Sequence, residues 1–408
     1  MSLSNNTKRS LAYLHHKLPL SWRKSNKIPL FLHSVKTTKK IYLPVTIYEG
    51  QLAGNDLDFC FAYAGHETPR RAYWLKKIFR SGYSQKPIGQ HFYWQIPQTV
   101  TKQYPQCALL NLELNTFSHS FFKSLPGFTI PFWMYMSIDI TPPMSELHRR
   151  SKSGFSDIAR LIRKNHLHHE FCRCWNQFQQ FYETMHKPFI LNRHNQAAVF
   201  IGDLQLKDIF HRSDFFLVKN NGTNLGGGMI EYDGQNAQLR VVGIKDGDSK
   251  YLKQGVLGSL YYFPIVELKK KGFHNVNLGG TPPFFREGLT RFKMRLLAEI
   301  IPRPQKLPKE YFRLIPLKDT LALRTFLSDN PFLFYPDEKA PKQAVFLNKE
   351  TCQSPDDLYQ NIKYAKCKGL IETEVYIPED LPQVITWLNQ LNLPTLIPKP
   401  FKSVFWNG

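Results

Sequence analysis

The sequence predicts a mixed α/β (α+β) protein with more than one domain. Its 408 residues exceed the roughly 250–300 residues at which a single hydrophobic core stops growing. Strand-like and helix-like segments alternate along the chain, and proline-rich breaks occur at Pro142-Pro143 and at residues 301–304. Four regions follow: a basic arm (1–45), an N-terminal α/β domain (46–143), a central domain (144–302) and a small C-terminal α/β domain (303–408).

The N-terminal domain is predicted to be strand-rich, because apolar residues in it recur at a period of two. One amphipathic segment predicts a helix at 70–79. The predicted strands are 42–48, 58–63, 91–96, 108–114 and 129–140.

The central domain has the most regular pattern. We predict, in order, a strand at 168–173, helices at 175–186 and 202–211, three antiparallel strands at 215–219, 225–232 and 237–244, a helix at 252–271, a strand at 274–278, a short helix at 284–292 and a strand at 295–301. Asn221-Gly222 and Asp233-Gly234 mark the two hairpin turns. The C-terminal domain alternates again, with strands at 344–347 and 371–377 and helices at 355–367 and 381–391.

The net charge is strongly basic, with 54 Lys and Arg against 32 Asp and Glu, which gives +22. Such a charge predicts an acidic or phosphate-rich partner: tRNA, an acyl carrier protein, or an anionic lipid or lipid-linked acceptor. A solvated basic surface is the alternative. Residues 1–48 hold no Asp or Glu and these basic residues: Lys8, Arg9, Lys17, Arg23, Lys24, Lys27, Lys36, Lys39 and Lys40.

Cellular location is predicted from cysteines and apolar runs. The six cysteines lack the close spacing of a disulfide framework and predict reduced thiols. No apolar run reaches the roughly 18–20 residues of a membrane span. We therefore expect a cytoplasmic protein with peripheral contact at the inner face of a membrane; an organelle transit peptide at the N-terminus is a less favoured alternative.

Three stretches of the central domain carry a family resemblance. These are Arg149-Arg150…Arg160…Arg163-Lys164, Phe181-Tyr182-Glu183-Thr184-Met185, and Gly279-Gly280-Thr281…Gly288-Leu289-Thr290-Arg291-Phe292-Lys293. Together with the order of elements they resemble the GNAT acyltransferase superfamily, and within it the Fem-type and related peptidoglycan- or exopolysaccharide-associated acyl(aminoacyl)transferases.

The resemblance implies a fold and a function. The fold is a GNAT-type mixed sheet with flanking helices, preceded by a degenerate copy of the same fold. Residues 1–142 show no clear match to such a copy. The function is N-acyltransfer from a donor linked to CoA, a carrier or tRNA to an amine, without a metal. A degenerate module that binds RNA or anionic membrane without catalysis is the alternative, and a CoA-dependent enzyme acting on a small amine is a further one.

The donor site is predicted where the strand at 237–244 meets the helix at 252–271, because backbone N–H groups at a helix start can bind a pyrophosphate. The candidate donor-binding residues are Val242, Gly243, Ile244, Gln254, Gly255 and Gly258. Gly255 and Gly258 depart from the family's usual loop by one residue of spacing, and glycines that ease helix packing are the alternative. Acyl-CoA or aminoacyl-tRNA is the expected donor.

Candidate catalytic residues follow from the resemblance and from position. Lys293, with Arg291, is expected near the reaction centre, where a cation stabilises an oxyanion or holds a phosphate; compensation of the helix dipole is the alternative. Glu231 or Tyr232 is the candidate proton acceptor, and only one of these neighbours can face the cleft. Arg286, Glu287, Arg160 and Arg163 are candidate substrate-binding residues. The His- and Cys-rich run at 166–174 is too extended for one metal ion.

Overall fold

A computed structural model describes residues 41–122, 125–151, 153–303, 310–336, 340–391, 393 and 395–406. The predicted basic arm therefore lies almost entirely outside the described residues. The strands are β1 (Tyr42–Leu52), β2 (Asp58–Ala64), β3 (Phe79–Phe92), β4 (Leu109–Asn115), β5 (Phe128–Pro131), β6 (Met134–Asp139), β7 (His168–Cys172), β8 (Ser213–Asn220), β9 (Thr223–Asp233), β10 (Asn236–Ile244), β11 (Asn275–Thr281), β12 (Glu299–Ile301), β13 (Glu310–Pro316), β14 (Phe332–Phe334), β15 (Lys342–Phe346), β16 (Glu372–Ile377) and β17 (Leu396–Pro400).

Helices cover these strands. The α-helices are α1 (Thr68–Ile78), α2 (Ile96–Gln103), α3 (Thr116–Phe122), α4 (Met144–Arg150), α5 (Gly154–Lys164), α6 (Trp175–Phe181), α7 (Lys187–His194), α8 (Asp203–Phe210), α9 (Lys250–Lys253), α10 (Val256–Lys270), α11 (Gly288–Arg295), α12 (Leu321–Asp329), α13 (Pro355–Ile362) and α14 (Gln383–Gln390). One π-helical turn, Tyr182–His186, joins α6 to α7.

The strands form three sheets. The first has the order β3-β1-β2-β4-β13-β5, the second β12-β6-β11-β10-β9-β8-β7, and the third β14-β15-β16-β17. The described chain is therefore mixed α/β, as the sequence predicts.

The first two sheets share one pairing pattern. In the first, β1 and β2 are antiparallel, β2 and β4 are parallel, and β13 lies antiparallel between β4 and β5. In the second, β9 and β10 are antiparallel, β10 and β11 are parallel, and β6 lies antiparallel between β11 and β12. An antiparallel run that leads into one parallel pair, followed by an inserted antiparallel strand, is the GNAT topology. The N-terminal sheet is thus a second copy of that topology.

Each copy is completed by a strand from beyond a predicted domain limit. β6 precedes the break at 142–143 but belongs to the second sheet, and β13 follows the break at 301–304 but belongs to the first. The limits predicted at 143 and 302 therefore do not coincide with the limits of the sheets.

Several predicted elements need correction. The single strand expected at 129–140 is two strands, β5 and β6, which enter different sheets, and Pro131, which lacks an N–H donor, ends β5. β3 occupies 79–92, where only its last residues were expected. The helix expected at 252–271 is interrupted at Gly255, whose φ is 85°. The strand expected at 295–301 shortens to Glu299–Ile301, because α11 continues to Arg295.

The second sheet is covered on one face by α10, whose side chains share a core with alternate residues of β6. Met134, Met136, Leu260 and Ile265 belong to this core. Since side chains alternate across a strand, Trp133 and Tyr135 face the opposite side of the sheet. We call this side the open face, although α6 and α8 pack on it beside β8, β9 and β10. Trp133 is 44% exposed.

Candidate functional site

β10 and β11 part in the middle of the second sheet. Their parallel pairing covers only Ala237↔Val276 and Gln238↔Asn277. Immediately beyond, Arg240 is the extra residue of a bulge between Leu239 and Val241, and Gly279 adopts a φ of 77°, which a residue with a side chain rarely tolerates. Both strands therefore turn away at the same level, and α10 follows β10 in the chain. The two strands are thus adjacent at Ala237 and Gln238 and splay apart beyond these residues.

Lys293 lies beneath this opening, against the end of β11. Its Nζ donates hydrogen bonds to the carbonyl oxygens of Gly279 and Gly280, at 2.9 and 3.0 Å. The side chain is 1% exposed, and burial lowers the pKa of Lys293 to about 7. Lys293 lies in the last turn of α11, where the alternative of dipole compensation expects a cation, but it is buried and its hydrogen bonds hold the carbonyls where β11 bends.

His186 lies at the edge of β10 beyond the last pair with β11. Its Nδ1 is 2.6 Å from the carbonyl oxygen of Val242. A carbonyl accepts only, so Nδ1 carries the proton and Nε2 keeps a lone pair. Burial lowers the pKa of His186, and the Val242 carbonyl opposes that effect. The imidazole is thus neutral at pH 7, with one nitrogen available as a proton acceptor.

The local backbone explains why His186 reaches this position. It ends the π-helical turn Tyr182–His186, and π-helical turns within helices occur often at functional sites. An ideal Cβ on Gly243 would lie 2.6 Å from the backbone nitrogen of His186. Only a glycine at 243 lets the π-helical backbone approach β10 so closely. The ring of His186 also stacks on Tyr182, with centroids 4.9 Å apart.

Glu231 lies among arginines on the open face. Its carboxylate accepts a hydrogen bond from Nε of Arg212 at 2.8 Å and lies 3.4 Å from Nε of Arg240. On the same face, burial raises the pKa of Tyr135 to about 12, and the guanidinium of Arg240 partly offsets this rise. The carboxylate of Glu231 is thus engaged by two guanidinium groups.

Tyr232 faces the other side of β9, near the C-terminus of α10. Its hydroxyl donates to Oδ2 of Asp214 at 2.8 Å and accepts from Nζ of Lys271 at 3.1 Å. The structure therefore separates the two candidate proton acceptors, and Tyr232 is the one that lies away from the open face.

The two loop glycines of the predicted donor site contact α5. An ideal Cβ on Gly255 would lie 2.6 Å from Cβ of Leu161, and one on Gly258 would lie 2.7 Å from Cγ1 of Ile158. The carbonyl of Gln254 accepts a hydrogen bond from Asn165 at 2.9 Å. These contacts match the packing alternative for the glycines. Ile244 is fully buried in the core, and Val242 and Gly243 contact His186 as described above.

Arg286 and Glu287 connect distant parts of the fold. Arg286 donates to Oδ1 of Asn361 at 2.8 Å. The carboxylate of Glu287 accepts from Tyr73 at 2.9 Å and from Lys77 at 2.7 Å, both on α1. Burial raises the pKa of Tyr73 and lowers that of Lys77. Both side chains thus connect the loop between β11 and α11 to other elements: Glu287 to α1 and Arg286 to α13.

The remaining predicted cations are exposed. Arg291 lies on α11, and Arg160 and Arg163 lie on α5. Arg160 is 3.9 Å from Asp157 in a one-turn ion pair. These side chains remain available to a phosphate-rich partner at the surface.

In the first sheet the parallel pair β2–β4 corresponds to β10–β11 of the second, and a carboxylate lies at the end of that pair. There β2 and β4 stay paired from Phe61↔Leu109 to Ala64↔Leu112. The buried Glu113 accepts hydrogen bonds from the Tyr63 hydroxyl at 2.6 Å and from the backbone N–H groups of His66 and Glu67 at 3.3 and 3.2 Å. This carboxylate sits where α1 begins, the position at which a helix start would bind a phosphate. The first copy is therefore closed by its own side chain.

Sequence reasoning missed His186 and Arg240. The motif at 181–185 ends one residue before His186, and nothing in the sequence signals a π-helical turn. Arg240 is placed by a bulge that a period-two pattern does not reveal. Among the described residues, no cluster of three or more His, Cys, Asp or Glu side chains could hold a metal ion. Nor does any helix in that part of the chain combine the length and apolarity needed to cross a bilayer.

Comparisons with known proteins find likeness among solved structures. No protein-family model matches the chain, and no curated protein matches it in sequence. The C-terminal domain (DUF2156) of a putative lysylphosphatidylglycerol synthetase from Agrobacterium fabrum is 14% identical over 66% of this chain and 80% of its own, with a TM-score of 0.33. FemX is 12% identical over 65% and 83%, with a TM-score of 0.34.

A smaller relative aligns with part of the chain. The ribosomal-protein-S18-alanine N-acetyltransferase from Escherichia coli is 14% identical over 38% of this chain and 96% of its own, with a TM-score of 0.24. FemX carries the name of the Fem-type group that the sequence resembles, whereas the lysylphosphatidylglycerol synthetase domain was not part of that resemblance. At these low TM-scores the fold assignment follows from the strand order and pairing of the chain itself.

Proposed function

We propose that this protein is an acyl- or aminoacyltransferase whose reaction takes place at the β10–β11 opening. The observation that carries the proposal is the parting of the two strands at Arg240 and Gly279, with His186 at one edge. Parted parallel strands expose backbone N–H and C=O groups, which can hydrogen-bond an extended donor as a further strand would.

His186 is the proposed proton acceptor. An amine must lose a proton as it attacks the acyl carbonyl, and a neutral imidazole is the side chain best suited to accept that proton near pH 7. The Val242 carbonyl fixes the tautomer that leaves Nε2 unprotonated. The base returns its proton to the leaving thiolate or alkoxide, so no covalent intermediate on the protein is needed.

Lys293 is proposed as a positioning residue. Its amine orients the carbonyls of Gly279 and Gly280 and thereby sets the direction in which the neighbouring backbone N–H groups point. A backbone held in this way can stabilise developing negative charge without reorganising during the reaction.

The donor we favour is an aminoacyl-tRNA. Gly255 and Gly258 are in contact with Leu161 and Ile158 rather than exposed as a pyrophosphate cradle. The charge of +22 suits a polyanion, and the exposed Arg160 and Arg163 on α5 offer surface cations close to the start of α10. An acyl-CoA remains the second donor to test.

The test is a transfer assay with matched variants. The full chain is incubated with aminoacyl-tRNAs labelled on the amino acid, or with labelled acetyl- and longer acyl-CoAs, and with amine acceptors that include aminolipids. We expect transfer from one donor class, a loss of at least about 100-fold in kcat for His186→Ala, and little change for the exposed His211→Ala. A wild-type rate in His186→Ala would remove His186, and no transfer from any donor would favour a binding module.

A loss of activity at low pH is also expected. Because the pKa of His186 lies below its ordinary value, the base is neutral at pH 7 and becomes protonated only below pH 6.5. The rate kcat/KM should therefore fall as the pH drops through that region.

A further inference from the structure

An exposed row of aromatic rings lies at one edge of the first sheet. We call this row, together with the adjoining Ile41, the aromatic patch. Its exposed members are 39–45% accessible: Ile41, Tyr42, Phe92, Trp94 and Phe121. They come from the start of β1, the end of β3 and the end of α3. Fifteen large hydrophobic side chains of the described residues are exposed, and finding five of them together distinguishes this surface from the rest.

The rings of the patch are in mutual contact. Tyr42 lies 5.1 Å from Phe92, and Phe92 stacks on Trp94 at 4.7 Å with an interplanar angle of 11°. Tyr93, which is partly buried, continues the row to Phe121 at 5.6 Å. Contiguous exposed apolar surface on a soluble protein marks an interaction site.

The sequence on both sides of the patch is basic. Residues 68–112, which include α1, β3 and α2, contain no Asp or Glu. Three of their seven basic residues form ion pairs with carboxylates from elsewhere in the chain: Arg70 with Glu310, Lys77 with Glu287 and Arg80 with Asp56. The other four are Arg71, Lys76, Lys86 and Lys102. The nine Lys and Arg of the acid-free residues 1–48 end at Lys40, which directly precedes Ile41 of the patch.

This combination fits the surface of an anionic bilayer. Aromatic side chains favour the headgroup region of a membrane, while neighbouring lysines and arginines are attracted to anionic lipids. Single-stranded RNA would instead need aromatic faces free for base stacking, whereas Phe92 and Trp94 each cover one face of the other. The aliphatic Ile41 has no role in base recognition either.

We propose that the aromatic patch docks this protein on an anionic phospholipid membrane, with the rings in the headgroup region and the basic residues of 68–112 adding attraction to the anionic lipids. The inference concerns binding alone and does not depend on the transferase reaction. It implies that the first sheet, whose GNAT opening is closed by Glu113, serves to bring the second sheet to a membrane.

Vesicle binding tests the proposal. The full chain is mixed with vesicles of phosphatidylcholine alone or with 30% phosphatidylglycerol, and the bound fraction is measured by sedimentation at several salt concentrations. We expect binding only to the anionic vesicles, weakening as salt rises. The double variant Phe92→Ser/Trp94→Ser should bind them at least about tenfold more weakly, because two apolar rings no longer leave water.

The control variant carries the same type of change elsewhere. Tyr359→Ser/Ile385→Ser removes two side chains that are 45% and 49% exposed on α13 and α14, and it should bind as the wild type does. Quenching of tryptophan fluorescence by lipids brominated in the acyl chain should fall in Trp94→Phe while binding persists.

Three results would overturn the proposal. One is wild-type vesicle binding by the Phe92→Ser/Trp94→Ser variant. Another is a change from oligomer to monomer in that variant with vesicle binding intact, which would make the patch an interface between copies of the chain. The third is loss of binding to single-stranded RNA, rather than to vesicles, in the same variant.

Discussion

At the residue scale, Lys293 combines burial with a position at the proposed site. Its hydrogen bonds within the described residues go to the carbonyls of Gly279 and Gly280, and its surroundings lower its pKa to about 7 from an ordinary value of 10.5. A buried amine near neutrality can lose its charge without losing its role as a donor, because a neutral amine still has two N–H groups.

The lowered pKa of Lys293 predicts how stability depends on pH. Between about pH 7 and 10.5 the unfolded chain keeps the proton on Lys293 and the folded chain releases it. The unfolded state then binds more protons, so the free energy of unfolding must rise with pH across this window. The wild type should therefore gain stability relative to Lys293→Met between pH 7 and 9.5, as measured by urea unfolding. Parallel pH profiles for the two proteins would show that Lys293 has an ordinary pKa in the folded state.

The sequence predicted Lys293 as a site residue and did not predict His186. Lys293 was predicted near the reaction centre from the resemblance around Gly279–Lys293, and its amine contacts the carbonyls at the β11 bend, from which we propose a role through the backbone. His186 depends on a π-helical turn and on the absence of a side chain at Gly243, two features that involve residues more than fifty positions apart.

At the element scale, the contact between the π-helical turn and β10 sets the edge of the opening. A methyl group on Gly243 would meet the backbone nitrogen of His186 at 2.6 Å, and backbone cannot rotate away as a side chain can. Gly243→Ala should lower the free energy of unfolding by about 1–3 kcal/mol and should also reduce transfer, because His186 would be displaced from Val242.

A matched glycine provides the control for that variant. Gly202 has a φ of −67° and has no neighbouring atom within 4 Å of an ideal Cβ, so Gly202→Ala should change stability by less than about 1 kcal/mol. Equal stabilities of the two variants in urea unfolding would mean that the π-helical turn does not rest on β10 as described.

The order of elements was largely predictable in the central domain, and the exchange of strands was not. Hairpin turns at Asn221-Gly222 and Asp233-Gly234 gave β8, β9 and β10 with small errors at their ends. β6 was predicted only as the second half of one strand at 129–140, and β13 was not predicted as a strand, so nothing local shows that each joins the sheet of the other half. That assignment comes from tertiary pairing across about 140 residues between β6 and β11.

At the scale of the whole molecule, the two copies of one topology differ at the end of their parallel strand pair. In the first, Glu113 closes the place where a donor would enter, and an aromatic patch occupies the outer edge. In the second, the same place is open and carries His186 and Lys293. The reciprocal exchange of β6 and β13, with the partly buried Glu287–Lys77 pair, holds the copies together, so a docked first copy would fix the orientation of the second.

The measurement that tests the central claim most directly is hydrogen exchange of the backbone amides with and without donor. The full chain is labelled in deuterated buffer alone, with an aminoacyl-tRNA, with uncharged tRNA and with acetyl-CoA, and peptides are compared by mass spectrometry. If the β10–β11 opening is the site of transfer, a donor that supports transfer should slow exchange in peptides covering 239–245 and 279–281, and uncharged tRNA should protect those peptides less than aminoacyl-tRNA does. Unchanged exchange at both segments, with protection confined to other surfaces under conditions where the donor is bound, would contradict the account.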